Sequence, residues 1–400
     1  MMEFPTTRDN VKLDIVGLLA IVGESAMSGH VQPSTASWTT LLPRLIPAPQ
    51  SFLKTTRPWR LPFNNSASVV GIRSGNFSQT LNFFPDVFHG IDHLPRFSVR
   101  TISITRSAES DGIDGIFKNV AVRKFGPMNL LAVIGMIFFL GLLVAAVILR
   151  DGMALCAVLL LSVTSSLVGM GSFWSVDLQR RRDSRSVPNG DVVVLGRQGS
   201  FIVVRCTEDI ARELYFGQER CNYYLGERAF QVVAATATFM FMASVVFLAN
   251  CTWNLQASIG LSYIILNGLY WMAALMPQRL QWDMSAYTLN DEGTTTEESY
   301  TDTLINVIRN TRETQWIRIA GAVPKTKAWD AWLEEAGEKI MDSNWNGRDS
   351  LTKLLSAAPS TTGFQPENTS SCARPRSQQS ASVGYLGKGP RDQQPPEYVV

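Results

Sequence analysis

MNLLAVIGMIFFLGLLVAAVIL, at residues 128–149, contains no charged side chain, and MALCAVLLLSVTSSLVGMGSFW follows it after three residues, at 153–174. A helix of this length spans about 33 Å, enough to cross a hydrocarbon core of about 30 Å. The same arrangement recurs at residues 229–251 and 255–276. The sequence therefore predicts four transmembrane helices, arranged as two hairpins.

The alternative for these four runs is a pair of helical hairpins buried in a large soluble core. Four uncharged runs of more than about eighteen residues favour the membrane. The composition agrees, because 46% of the residues are hydrophobic and only 18% are charged. A net charge of +2 gives no indication of a nucleic-acid partner, and we expect none.

Basic residues near the ends of the four runs predict the orientation. The two short turns carry only Arg150, whereas the opposite side carries Lys118, Arg123, Lys124, Arg180, Arg181, Arg182, Arg185, Arg220, Arg228 and Arg279. By the positive-inside rule, both termini and the segment between the hairpins are expected in the cytosol. Three cysteines on that side, Cys206, Cys221 and Cys372, should then be free thiols.

These patterns divide the chain into six regions. They are a largely disordered arm (1–120), a transmembrane hairpin (121–176), a cytosolic β-hairpin and helix (177–228), a second transmembrane hairpin (229–278), amphipathic cytosolic helices (279–341) and a disordered tail (342–400). The predicted class is a membrane all-α protein with a small cytosolic β-hairpin unit and disordered termini.

The N-terminal arm is rich in Ser, Thr, Pro and Asn, and it has no acidic residue between Glu24 and Asp86. Such a composition predicts a disordered segment that suits contact with an anionic membrane surface. His89 and His93 lie four residues apart, a spacing that could place two metal ligands on one helix face. Gly90 interrupts the segment and no third strong ligand is evident, so we expect no metal and no cofactor.

The segment between the hairpins contains GDVVVLGRQGSFIVVRC, with apolar runs at residues 191–195 and 200–205 around a glycine-bounded turn. This pattern predicts a β-hairpin. A helix is predicted next, with Thr207 as its N-cap and Gly217 at its end. Because both strands are apolar on both faces, the hairpin must pack on this helix, on the C-terminal segment or on a second copy.

The region after the last run begins with an acidic linker, at residues 291–298. It continues into a helix with Trp329, Trp332 and Leu333 on one face and acidic residues on the other. An anionic leaflet repels an acidic face, so this helix is expected to dock on the β-hairpin unit rather than on the membrane.

The chain ends in PPEYVV, in which Pro395, Pro396 and Tyr398 form a PPxY sequence. WW domains bind such sequences by packing polyproline rings into an aromatic groove. The tail therefore predicts a WW-domain partner such as a ubiquitin ligase. The alternative is a Pro-rich terminus without a partner.

The run GDVVVLGRQGSFIVVRCTEDIARELYFGQERCNYYLG, with ANCTWNLQ, LNGLYWMAAL and RLQWDMSAY further along, resembles a group of uncharacterised fungal multi-pass membrane proteins. The resemblance covers roughly residues 119–333 and rests on several linked motifs. It implies a fungal origin and a multi-pass membrane architecture, and it implies no site residues. One departure is Glu219-Arg220-Cys221, where the group often has an acidic pair before its cysteine.

The four apolar runs contain no Asp, Glu, Lys, Arg or His, which argues against proton coupling or a charged-ligand site among them. No hydrolase, phosphate-binding or dinucleotide-binding motif occurs either. The sequence thus predicts a non-enzymatic membrane scaffold or adaptor, with membrane lipids and a second copy of the chain as further partners. One alternative is a facilitator or oligomeric pore for a neutral solute that uses Asn250 and Asn267, and another is a lipid-modifying enzyme without a recognisable motif.

Overall fold

The computed structural model describes residues 24–107, 120–179, 187–342 and 345–357. Its helices are α1 (Glu24–Thr35), α2 (Phe83–His89), α3 (Pro127–Ile148), α4 (Gly152–Ser172), α5 (Glu208–Ile210, continued as a π-helix over Ala211–Phe216), α6 (Glu227–Ala249), α7 (Trp253–Ala274), α8 (Tyr300–Thr311), α9 (Gln315–Ala320), α10 (Lys327–Lys339) and α11 (Gly347–Ala357). Its strands are β1 (Ala67–Gly71), β2 (Phe77–Ser78), β3 (Ser98–Arg106), β4 (Ala121–Val122), β5 (Trp174–Leu178), β6 (Val192–Gly196), β7 (Phe201–Arg205), β8 (Glu219–Tyr223), β9 (Trp282–Asp283) and β10 (Tyr287–Thr296).

Helices α3, α4, α6 and α7 are each long and apolar enough to cross a membrane. Their bounds differ from the predicted runs by one to two residues, which is the usual uncertainty of a helix end. Helix α3 packs against α4 and α7, and α4 packs closely against α6. The four helices make the chain a candidate integral membrane protein.

Two short ribbons join the ends of these helices on one side. Strand β4 precedes α3 and pairs with β9, which follows α7, while β5 follows α4 and pairs with β8, which precedes α6. On the other side, Asp151 lies in the turn between α3 and α4. Its carboxylate accepts hydrogen bonds from the backbone N–H groups of Met153 and Ala154 at 3.0 Å and from Thr252, in the turn between α6 and α7, at 2.7 Å. At each end of the four-helix unit, hydrogen bonds therefore hold neighbouring helices together.

A six-stranded sheet, in the order β10-β3-β7-β6-β1-β2, corrects the predicted all-α class. The predicted β-hairpin is present as β6 and β7, and it forms the centre of this sheet. Strand β1 pairs with β6 antiparallel, and β3 pairs with β7 in parallel. Strands β1 and β3 pair with the outer edges of β6 and β7, whose backbone donors and acceptors would otherwise be unpaired.

The N-terminal arm was expected to be disordered, and residues 24–107 of it are folded in the structure. They supply β1, β2 and β3 to the sheet and α1 to the region around the apolar helices. The composition is polar, yet the segment is ordered because its backbone finds partners far along the chain. The acidic linker at 291–298 is also corrected, since most of it belongs to the edge strand β10.

The sheet is covered on both faces, because alternate side chains of β6 and β7 enter two cores. Val192, Val194, Ile202 and Val204 pack with residues of α2 and α5, and Val193, Phe201 and Val203 pack with residues of α8, α9, α10 and α11. Trp332 and Leu333 of α10 are buried in the second core. This confirms the expected docking of that helix on the hairpin. The predicted N-cap of α5 is not formed, because the side chain of Thr207 makes no capping hydrogen bond.

Candidate functional site

An N-terminal stretch that we call the wedge segment, residues 36–53, lies against the apolar helices. The backbone N–H of Leu45 donates to the carbonyl of Gly135 in α3 at 3.2 Å, and the N–H of Arg44 donates to Ser165 Oγ in α4 at 3.2 Å. Gly135 lies eight residues after Pro127, about 12 Å along the helix axis. The wedge segment therefore reaches well inside the span of α3 and α4.

Irregular backbone is tolerated at membrane depth only where protein or a water-filled cavity surrounds it. The wedge segment meets this condition, since residues 44–49 are all buried. Pro43, Pro47 and Pro49 also help, because proline has no backbone N–H that would need a partner. On its outer side, Trp38 and Leu41 expose apolar side chains, which suit contact with lipid.

Two glycines allow the close approach of the wedge segment. A Cβ atom at Gly169 of α4 would lie 2.1 Å from the carbonyl oxygen of Thr40, and one at Gly135 would lie 2.7 Å from the carbonyl oxygen of Leu45. Both distances are shorter than any real contact of a Cβ atom. Any larger residue at these positions must displace the wedge segment.

Arg44 is the charged residue of the wedge segment, and it is only 1% exposed. Its Nη1 donates to the carbonyl of Thr39 at 3.2 Å, and the hydroxyl of Thr39 donates to Asn129 Oδ1 at 2.8 Å. Its Nε is buried without a hydrogen-bond partner. The four predicted runs themselves contain no charged side chain, but the arm places one beside α3 and α4.

Arg57, which follows the wedge segment, makes more contacts than Arg44 does. Its guanidinium donates to the carbonyls of Gly171 and Leu225 at 2.8 Å each, and thereby caps the end of α4. It also lies 4.2 Å from the ring centre of Tyr223 and 4.3 Å from that of Phe230. Arg57 fixes the exit of the arm from the apolar helices, which makes it a structural residue.

A cavity of 340 Å³ lies beside this region, where the first turn of α3 and the last turn of α7 meet α1 and β9. Its volume falls within the range of small-molecule sites. The lining includes the apolar residues Leu61, Phe83, Met128, Ala274 and Trp282 and the polar residues His30, Gln32, Gln278 and Gln281. It lies at the level where the predicted spans begin and end.

The polar side chains of the cavity are held in place by the fold. Gln281 Oε1 accepts from the backbone N–H of Met128 at 3.2 Å, and Gln32 Nε2 donates to the carbonyl of Arg60 at 3.1 Å. Burial lowers the pKa of His30, whose Nε2 has no hydrogen-bond partner. His30 is therefore neutral at pH 7, and the lining carries no charge.

A second, more open cavity of 780 Å³ shares the wall at Met276–Gln278, and its lining includes Asp86, Asp92, His93, Arg100 and Arg279. His89 also borders it, but Nε2 of this ring lies 2.6 Å from the hydroxyl of Tyr215. Burial, then the nearby arginines, lower the pKa of His89 to about 3. His93 is exposed, and the described residues contain no group of three metal-binding side chains.

The structure separates the other residues that the sequence singled out. Asn250 Nδ2 donates to the carbonyl of Val246 within its own helix at 2.8 Å, and Asn267 Oδ1 is buried without a partner. Cys206 and Cys221 are free and buried. The PPxY residues Pro395, Pro396 and Tyr398, and Cys372, lie outside the described residues.

Sequence reasoning missed Arg44, His30 and Gln281. A signal for the first was available, because LLPRLIPAP at residues 41–49 is an apolar, proline-spaced run without an acidic neighbour. His30 and Gln281 lie far apart in the chain, and no spacing connects them. The chain matches no protein-family model, no curated protein and no solved structure.

Proposed function

We propose that the chain is a non-enzymatic membrane scaffold that binds a neutral lipid in the 340 Å³ cavity. The observation that carries this proposal is the position and lining of the cavity. It lies at the ends of α3 and α7, and its apolar walls carry a few amide groups and a neutral imidazole. An amphipathic molecule could place its chain against the walls and its uncharged polar group against these donors and acceptors.

Each feature of the lining favours a neutral ligand over a charged one. No carboxylate, ammonium or guanidinium group lines the cavity, so nothing there would compensate a charged headgroup. Gln32 and Gln281 are oriented by hydrogen bonds to the backbone and offer fixed polar contacts. A diacylglycerol-class or sterol-class lipid has the required combination of an apolar body and a hydroxyl.

A photoactivatable diacylglycerol analogue tests this proposal with the full chain in nanodiscs. Ala274→Phe should lower crosslinking at the cavity, because Ala274 lines it while its side chain is exposed and outside the main cores. Ala235→Phe is the matched control, since Ala235 is an exposed residue of the apolar helix α6. Equal crosslinking of both variants and the wild type would exclude the cavity as the site.

The same experiment separates the scaffold from the enzyme alternative. A scaffold leaves the probe lipid unchanged, so the recovered probe should have its original mass. Conversion of the probe by the wild type, abolished in Ala274→Phe, would support a lipid-modifying enzyme. Solute flux through protein-containing vesicles, lost in Asn267→Leu, would instead support the facilitator.

We also propose that both termini face the cytosol and that the tail makes the chain an adaptor. The sequence motif formed by Pro395, Pro396 and Tyr398 supports a WW-domain partner such as a ubiquitin ligase, and a second copy of the chain is the other proposed partner. Capture of the full chain in detergent, with and without residues 391–400, tests the first of these. Loss of a WW-domain protein from the shortened chain is expected, and unchanged capture would exclude the motif.

A further inference from the structure

We propose that Arg44 forms a binding site for a small monovalent anion, such as chloride, between the apolar helices. This site is separate from the cavity, and the inference does not depend on the proposed lipid. It starts from a buried guanidinium with one bond from Nη1, to the carbonyl of Thr39, and an Nε without a partner. A guanidinium has five N–H donors, so most of its hydrogen-bonding capacity is left over.

Within the part of the chain that the structure describes, no carboxylate pairs with Arg44. Residues 25–85, which include the wedge segment, contain no Asp or Glu. Helices α3, α4 and α7 contain none, and the only acidic residue of α6 is Glu227, at its first position. Among the described residues, the titratable group that acts on Arg44 is the phenol of Tyr270, which is neutral at pH 7.

Buried charges in membrane proteins are paired, and an unpaired one marks a site whose partner comes from outside the chain. Unpartnered hydroxyl groups lie on the residue next to Thr39 and on the helix that the Arg44 backbone contacts. Thr40 Oγ1 on the wedge segment and Ser162 Oγ on α4 are buried without hydrogen-bond partners, and Ser162 lies one turn from the Ser165 hydroxyl that accepts from the N–H of Arg44. Hydroxyl and guanidinium donors together are the groups that bind an anion.

The size and source of the anion follow from the position. The Cβ atom of Arg44 lies beside Gly135 of α3, and its guanidinium reaches the carbonyl of Thr39. Arg44 is also enclosed by protein, with 1% of its surface exposed. Because this side chain is enclosed, we expect a single-atom anion rather than a bulky phospholipid headgroup as its partner. One net positive charge requires one monovalent anion.

Equilibrium binding of chloride-36 to the full chain tests the site, in nanodiscs of zwitterionic lipid with sodium gluconate as the replacement salt. We expect saturable binding of one chloride per chain in the wild type and in Arg44→Lys, which keeps the charge. Arg44→Gln should bind at least about tenfold more weakly. Arg73→Gln, which removes an exposed arginine of the same arm, should bind as the wild type does.

Three outcomes would overturn the inference. They are a folded wild type without saturable chloride binding, equal binding by folded Arg44→Gln, and loss of chloride binding when anionic lipid replaces zwitterionic lipid, which would mean that a headgroup reaches Arg44. Should Arg44→Gln not fold, the wild type and Arg44→Lys still decide the matter. Replacing gluconate by chloride should also raise the unfolding temperature of both.

Discussion

Glu219 is a buried carboxylic acid that connects two elements of the soluble part. Its two oxygens accept from the backbone N–H groups of Phe83 at 2.8 Å and Phe84 at 3.0 Å, at the start of α2. Burial raises its pKa from 4.5 to about 8, although these two hydrogen bonds and Arg60 act in the opposite direction. The folded chain therefore retains a proton at Glu219 near pH 7 that the unfolded chain releases.

A pH dependence of stability follows from Glu219. Its contribution is complete below pH 4.5 and is lost as the pH rises through about 8. His89 has the opposite sign, but its effect ends at pH 6.5, above which the unfolded imidazole is neutral as well. Between pH 6.5 and 8 the free energy of unfolding should fall by up to about 1.4 kcal/mol per pH unit.

Chemical unfolding at several pH values measures this slope. Glu219→Gln cannot release a proton, so its slope in the same interval should be shallower than that of the wild type. Glu338→Gln, at an exposed position of α10, is the control and should keep the wild-type slope. The assignment fails if Glu219→Gln and the wild type have the same slope.

Asp151 ties the two short turns, because its carboxylate accepts from Met153 and Ala154 in one and from Thr252 in the other. Asp151→Ala removes all three hydrogen bonds and should lower the free energy of unfolding by about 1 to 2 kcal/mol. Arg150→Lys, in the same turn, leaves these bonds intact and is the control. Thermal unfolding in detergent measures both, and equal unfolding temperatures would contradict the role given to Asp151.

Among the helices, α4 has the strictest requirement for glycine, at position 169. A methyl group at Gly169 would meet the Thr40 carbonyl, whereas one at Gly141 of α3 or Gly268 of α7 meets no atom within 4 Å. Gly169→Ala should therefore displace the wedge segment and destabilise the protein by about 1 to 3 kcal/mol. Gly141→Ala and Gly268→Ala should leave stability unchanged or raise it, because alanine favours a helix over glycine. Thermal unfolding that ranks Gly169→Ala with these two controls would contradict the close contact.

The elements also differ in how far the sequence predicts them. The four apolar helices and the pair β6 and β7 follow from runs of hydrophobic residues, so local composition is sufficient. Strand β10 is exposed over nearly all of its length, and its run from Tyr287 to Thr296 has no hydrophobic pattern. The parallel pairing of β3 with β7 joins residues about a hundred positions apart, and no local signal encodes it.

The candidate sites were less predictable than the fold, for a related reason. Arg44 is a single charge in a proline-spaced run that is too short to be a span and too irregular to be a helix. It becomes significant only when Gly135 and Ser165 are found beside it. The cavity likewise depends on His30, Met128 and Gln281, which the fold brings together from three separate regions.

At the scale of the molecule, the N-terminal arm connects the apolar helices to the sheet. Its wedge segment contacts α3 and α4, Arg57 caps α4, and the following residues form β1 and β3. The two ribbons join the helix ends, and their residues Trp174, Val176 and Trp282 pack in the core on one face of the same sheet. Both the cavity and the buried arginine exist only because this arm is folded against the helices.

Accessibility of the wedge segment to a water-soluble maleimide tests this arrangement most directly. The full chain, with Cys156→Ser and Cys372→Ser, is placed in nanodiscs and carries either Ile46→Cys or Lys54→Cys. Burial raises the pKa of the remaining thiols Cys206, Cys221 and Cys251, which keeps their reaction slow. Ile46 is 4% exposed, whereas Lys54 is exposed beyond the end of the wedge segment.

The folded chain should react quickly at position 54 and should react at position 46 only after denaturation in detergent. Labelling of both positions at the same rate in the native protein would mean that the wedge segment does not lie among the apolar helices.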